Sequence, residues 1–158
     1  MKNKSKKIIY LITIITIIID QLVKILVKTN MHLHQEISII PNFFSLYYIK
    51  NKGAAFSILN DQTTFLIITT TLFLIIMSHY IKNEKNFTKL SIISLGILLG
   101  GMFGNLIDRI IYSGVIDYLS FTIIKYNFPI FNIADIGITI GTFLLAINFF
   151  LEEKRTKK

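Results

Sequence analysis

Long apolar runs separated by short polar connections dominate the chain. Residues 8–19 carry no formal charge, and a shorter apolar stretch resumes around Lys24 and reaches about Val27. Residues 62–81 are free of formal charge, 91–107 are apolar or small, and 133–151 are apolar apart from Asp135 and Asn148. Each run approaches the ~20 residues a helix needs to cross the hydrocarbon core of a bilayer. The pattern predicts an all-α membrane protein with four transmembrane helices, over about 8–27, 62–81, 91–111 and 132–151, in one domain spanning 1–158. The lysine-rich start could pass for the front of a secretory leader. However, the run ends Ile18-Ile19-Asp20-Gln21 with no small-residue cleavage site, so a retained first span is expected.

The connections add detail. Residues 28–61 contain Pro41 and then Phe43-Phe44-Ser45-Leu46-Tyr47-Tyr48-Ile49, an aromatic run that favours a strand and also suits the headgroup layer. A second connection covers 112–131. Gly96, Gly100 and Gly104 recur every four residues in the third span, as do Gly137 and Gly141 in the fourth. Small residues at that spacing let membrane helices approach closely, so these two helices are expected to pack together.

Composition narrows the chemistry. The 158 residues are 53% hydrophobic and only 16% charged, with mean hydropathy +0.61, against about 25% charged in ordinary soluble domains. No cysteine is present, which removes disulfides, thiolate metal sites and a cysteine nucleophile. His32 and His34 lack supporting acidic or histidine ligands and read as loop residues, so no metal site is expected. The formal charge of +8 could suit nucleic acid, but its distribution points to membrane orientation instead. Residues 1–7 hold four lysines, 82–89 three, and the stretch from 152 onward four Lys or Arg, together 11 of the 17 basic residues. Those segments are assigned to the cytoplasm, with both termini inside and the 28–61 and 112–131 connections outside.

Polar residues within the spans are expensive. A central Asp, Lys or Arg costs about 2.5–3.5 kcal/mol on insertion scales, which makes each a functional candidate. With the assigned topology, Asp20, Lys24, Asn105, Asp108, Arg109 and Asp135 all fall in the outer part of their helices, which predicts one polar site at the exterior interface. Asp20 and Lys24 stand at i,i+4 with the acid first, the favourable order for a helical pair. Asn105, Asp108 and Arg109 share a helix face, and Asn132 and Asp135 are i,i+3. Interhelical hydrogen bonding alone explains several of these, but it explains less well why Asp117 and Asp135 gather at the same end.

Five ordered blocks carry a resemblance. They are Asp20-Gln21-Leu22-Val23-Lys24, Asn51-Lys52-Gly53-Ala54-Ala55-Phe56, Gly101-Met102-Phe103-Gly104-Asn105-Leu106-Ile107-Asp108-Arg109, Gly114-Val115-Ile116-Asp117-Tyr118 and Phe131-Asn132-Ile133-Ala134-Asp135. In these blocks, across nearly its whole length, the sequence resembles the type II (prolipoprotein) signal peptidases; Tyr118 stands where phenylalanine is commoner. The resemblance implies that Asp117 and Asp135 are a catalytic pair, with supporting or substrate-binding roles for Asp20, Lys24, Asn51, Gly53, Asn105, Arg109 and Asn132. It implies an aspartic endopeptidase of the bacterial cell membrane that cuts diacylglyceryl-modified prolipoproteins just before the lipidated cysteine. An exterior β-cradle, which the 43–49 segment suits, and a gating loop or short helix over 53–61 are also implied. No cofactor, metal or nucleic acid is expected; substrate and membrane lipids are the partners, and a monomer is expected to suffice.

Physical chemistry accounts for such a pair. Two neighbouring carboxyls cannot both ionise cheaply and share one proton, so one activates water while the other protonates the carbonyl oxygen. Asn132 is placed to orient Asp135, Asn51 to contact substrate backbone from a loop, and Arg109 to hold the Asp117 loop or meet substrate. Asp108 reads as the ion-pair partner of the adjacent Arg109. A transporter would need polar groups through the full bilayer depth, and these stop in the outer leaflet. A serine–lysine protease would have only Ser57 near Lys50 and Lys52, with no Gly-x-Ser-x-Gly elbow.

Overall fold

The computed structural model describes residues 2–53, 59 and 61–156. Among these residues eight elements follow one another: α1 (Lys2–Asn30), β1 (Glu36–Ile40), β2 (Phe44–Asn51), α2 (Thr63–Asn83), α3 (Lys89–Tyr112), β3 (Val115–Ile123), β4 (Tyr126–Asn127) and α4 (Ile133–Thr156). All four helices are long and apolar enough to cross a membrane. Three of them keep most of their apolar surface outward, as lipid-facing helices do. α3 differs: its most apolar stretch is 61% buried against 11–22% for the others, so it is the hub of the bundle.

Glycines let α3 serve as that hub, and they do so on two faces. The Gly96–Gly100–Gly104 stripe faces α1, where a Cβ on each would run into Ile12, Thr16 and Asp20 in turn. Thr13 Oγ1 adds a hydrogen bond to the Gly96 carbonyl at 3.2 Å. α4 takes the other side, through Gly101 on α3 and through Gly137 and Gly141, which lie against Ile97 and Leu98. The third and fourth helices therefore pack as expected, but the three-glycine stripe serves a different partner. Period-four spacing marks a close approach without saying which helix makes it.

β1 to β4 form one antiparallel sheet in the order β1-β2-β3-β4. It lies at the end of the bundle where α1 and α3 finish and α4 begins. The aromatic run becomes β2, and Phe121 stacks between Phe44 (4.7 Å) and Phe131 (5.7 Å), tying the sheet to the start of α4. An irregularity between Leu46 and Ile49 puts an extra β2 residue opposite β3 and brings Asp117 into register with Ile49. β3 and β4 join through Ile124 and Lys125, both at positive φ (48° and 64°), where Asn-Gly would be usual. Of the loop expected over 53–61, residues 54–58 and 60 lie outside the described residues, so Phe56 and Ser57 do too.

Candidate active site

Asp117 lies on β3 and Asp135 in the first turn of α4. Asn132, immediately before α4, links them. Its Oδ1 accepts the Asp135 N–H at 2.9 Å while Asp135 Oδ2 accepts the Asn132 N–H at 3.2 Å, a reciprocal cap on the helix. The same side chain donates through Nδ2 to Asp117 Oδ1 at 2.6 Å. Asn51 Nδ2 donates to Asp117 Oδ2 at 2.9 Å, and Asn105 Nδ2 to Asp135 Oδ1 at 2.7 Å. Every oxygen of the two carboxyls thus receives an N–H. The side-chain donors are neutral amides, which orient a carboxyl without forcing it to ionise as a cation would.

A buried ion group sits one step further in. Lys24 Nζ bridges Asp20 Oδ2 (2.8 Å) and Asp108 Oδ2 (3.0 Å), with all three side chains at most 1% exposed. It also donates to Asn105 Oδ1 at 3.0 Å, so its charge reaches the pair through an asparagine. Asp20 Oδ1 accepts the Ala134 N–H at 3.0 Å, binding α1 to the α4 N-terminus, where a carboxyl group is favoured. Asp108 Oδ2 accepts the Ile116 N–H at 3.0 Å and so fixes the strand carrying Asp117. Removing one member of a buried ion group costs about 3–5 kcal/mol, because the remaining charges lose their partner. Lys24→Met should therefore lower the thermal unfolding midpoint in detergent by at least about 6 °C at roughly 2–4 °C per kcal/mol. An unchanged midpoint would show that this group contributes little to the fold.

Two expectations need correction. Asp108 pairs with Lys24 rather than with its neighbour Arg109, because adjacent helical residues point in different directions. Arg109 instead donates from Nη2 to the Gly53 carbonyl (3.2 Å) and from Nη1 to the Asn105 carbonyl (3.4 Å). Asn51 is the last residue of β2, not a loop residue, and its Oδ1 accepts the Gly53 N–H at 2.9 Å while its amide holds Asp117. Two contributors carried no assigned role. Gln21 donates to Asp108 Oδ1 (3.0 Å) and the Gly104 carbonyl (3.1 Å), and the Tyr118 hydroxyl accepts the Ile133 N–H at 3.4 Å. The costliness of a polar side chain inside a span, applied to amides as well as to charges, would have found Gln21.

A cavity of about 630 Å³ opens onto the pair. Asp117, Asp135, Asn51 and Arg109 form its polar end, while Leu66, Ile136 and Ile140 form an apolar wall between α2 and α4. Asp117 is only 1% exposed. Burial, reinforced by the neighbouring Asp135 charge, pushes its carboxyl up to about 7. The arrangement offers what acid–base hydrolysis requires: two adjacent carboxyls, one able to hold a proton near neutrality, facing a space large enough for an extended peptide.

Comparison with known proteins agrees in family and fold. Residues 12–151 match the sequence model of signal peptidase (SPase) II. The lipoprotein signal peptidase of Symbiobacterium thermophilum is 40% identical over 144 residues, 91% of this chain and 95% of that protein. That of Maridesulfovibrio salexigens is 39% identical over 145 residues, 89% of this chain and 93% of its own. A bacterial membrane enzyme solved by the in meso method at 2.3 Å superposes with a TM-score of 0.84 at 34% identity, over 94% of this chain and 90% of the other. With the family matched along most of its length and the fold shared with a solved bacterial membrane enzyme, this chain belongs to the signal peptidase II family of proteases.

Proposed function

We propose that this protein is a lipoprotein signal peptidase of aspartic type, cutting diacylglyceryl-modified prolipoproteins just before the lipidated cysteine with Asp117 and Asp135. The observation that carries this reading is the pair itself: two carboxyls joined through Asn132 and facing one half-apolar cavity. The ionised carboxylate takes a proton from water as the water oxygen attacks the scissile carbonyl carbon. The protonated carboxyl gives its proton to the carbonyl oxygen, producing a tetrahedral diol. As the C–N bond breaks, the newly protonated carboxyl passes its proton to the departing amine, and the diol returns a proton to the other. The pair ends as it began.

Most of the basic residues, 11 of 17, fall in the segments 1–7, 82–89 and 152–158 of the sequence, which supports cytoplasmic termini and an active site in the outer leaflet of a bacterial cell membrane. Arg109 and Asn51 meet at Gly53, beside the aspartates, where Arg109 is placed to meet substrate. The direct test is cleavage of a purified diacylglyceryl prolipoprotein in detergent, read by mass at the new amino-terminal cysteine. No cleavage by folded protein would overturn the proposal.

The shared proton sets the pH dependence. A carboxyl raised to about 7 keeps its proton below that value and loses it above. kcat/KM should therefore fall tenfold per pH unit on the alkaline side of about 7, as the pair loses its only proton donor. A profile flat to about pH 9 would remove the shared proton from the mechanism.

A further inference from the structure

A second cavity, of about 480 Å³, lies over the sheet beside the first. The two share Asn51 and the Phe128-Pro129-Ile130 segment, so an extended chain passing the aspartates can continue from one into the other. Their walls differ in character. The first runs mainly along aliphatic side chains of α2 and α4, with Thr70 and Thr139 among them, whereas the second sets Glu36, Tyr47, Ser120, Thr122 and Asn127 beside Ile49. Strand geometry produces that polar face: Ser45 pairs with Ser120, Tyr47 lies two residues from Ser45 on β2 and Thr122 two from Ser120 on β3, Glu36 pairs with Tyr47, and Thr122 pairs with Asn127. Glu36 is the one formally charged residue among the described residues of this wall, and Ser45 Oγ donates to its Oε1 at 2.6 Å, fixing its direction.

We propose that this sheet-face cavity holds the polar residues that follow the lipidated cysteine, and that Glu36 selects there for a basic over an acidic substrate side chain. The inference rests on the function proposed above, and adds which side of the scissile bond each cavity takes. A prolipoprotein joins two halves of opposite solvent preference at the bond to be cut: an apolar leader, and a water-soluble chain behind a lipid anchor. Placing the soluble half against Leu66, Ile136 and Ile140 would strand its peptide groups without partners. On the sheet face the same groups meet hydroxyls, amides and a carboxylate. Glu36 is exposed, so its effect is that of a solvated charge, a modest bias that salt weakens.

The test uses purified full-length protein and synthetic diacylglyceryl lipopeptides that differ at one residue, with Lys, Ser or Asp walked through the second to fifth positions counted from the cysteine. Wild-type protein should cleave the Lys peptide about two- to fivefold faster than the Asp peptide, as kcat/KM, at one or more of these positions. Glu36→Gln should bring that ratio to about one, Glu36→Lys should invert it, and all three proteins should cleave the Ser peptide alike. Equal ratios in wild type and Glu36→Gln, with the Ser peptide cleaved, overturn this inference and leave the function standing. A preference sensitive to Glu36 that appears only for residues before the cysteine also overturns it, by reversing the direction of the chain. Failure of wild type to cleave any lipopeptide overturns the proposed function, and this inference with it.

Discussion

Asp117→Asn and Asp135→Asn are each expected to lower cleavage of a diacylglyceryl prolipoprotein by more than about 10³-fold, within the range that acid–base groups contribute. Asparagine keeps the size and most of the hydrogen bonds, so each variant should insert and fold. What it lacks is the proton exchange. The two positions do not occupy equivalent surroundings, and the folded fraction should differ between them. Among the described residues Asp117 accepts from two side-chain amides, those of Asn132 and Asn51, and an asparagine there must turn one N–H toward another N–H. Asp135 also completes the α4 cap, where an asparagine can keep its oxygen on the Asn132 N–H only by turning its own amide toward that of Asn105. Turnover should therefore be measured per folded molecule, by pairing the cleavage assay with size-exclusion and thermal unfolding in one detergent. Substantial turnover by either folded variant would remove that aspartate from the chemistry.

Matched peptides with and without the diacylglyceryl group should differ by more than about 10²-fold in kcat/KM. Buried acyl chains contribute about 0.8 kcal/mol per CH₂ to membrane retention, which concentrates the substrate in the layer where the enzyme sits. Retention alone would raise the encounter rate. Holding the scissile bond at the depth of the two aspartates lowers the barrier further by fixing its approach. The aliphatic wall of the 630 Å³ cavity, open between α2 and α4, gives the lipidated end a path continuous with the surrounding chains. The comparison belongs in a single nanodisc preparation, so that both peptides meet the same bilayer. Equal cleavage of the two would mean that the lipid is not read, and would make this a general intramembrane aspartic protease.

The four spans, the aromatic strand and the polar end of the bundle are legible in the residues alone, because each is a local property. A run of about 20 apolar residues must cross a bilayer whatever its neighbours are. Asp20–Lys24 is legible for the same reason, since i,i+4 geometry belongs to one helix. The hairpin formed by β3 and β4 is not, because its turn is Ile124-Lys125 and lacks the glycine or asparagine that marks such turns.

Partner choice between elements was settled only by the tertiary structure. The rotation of α3 decides that Gly96, Gly100 and Gly104 meet α1 while Gly101 meets α4. That same rotation sends Asp108 to Lys24, 84 positions earlier in the sequence, and leaves Arg109 to reach Gly53. Asn132 shows the limit most clearly. Its spacing from Asp135 announces a helix start, yet its second bond, to Asp117 across the sheet, depends on where β3 docks, and no local pattern encodes that. Sequence by itself determined which residues are costly enough to need partners; the packing of three helices and a sheet decided which partners they found, because hydrogen bonds in a bilayer must be satisfied by whatever the fold brings within reach.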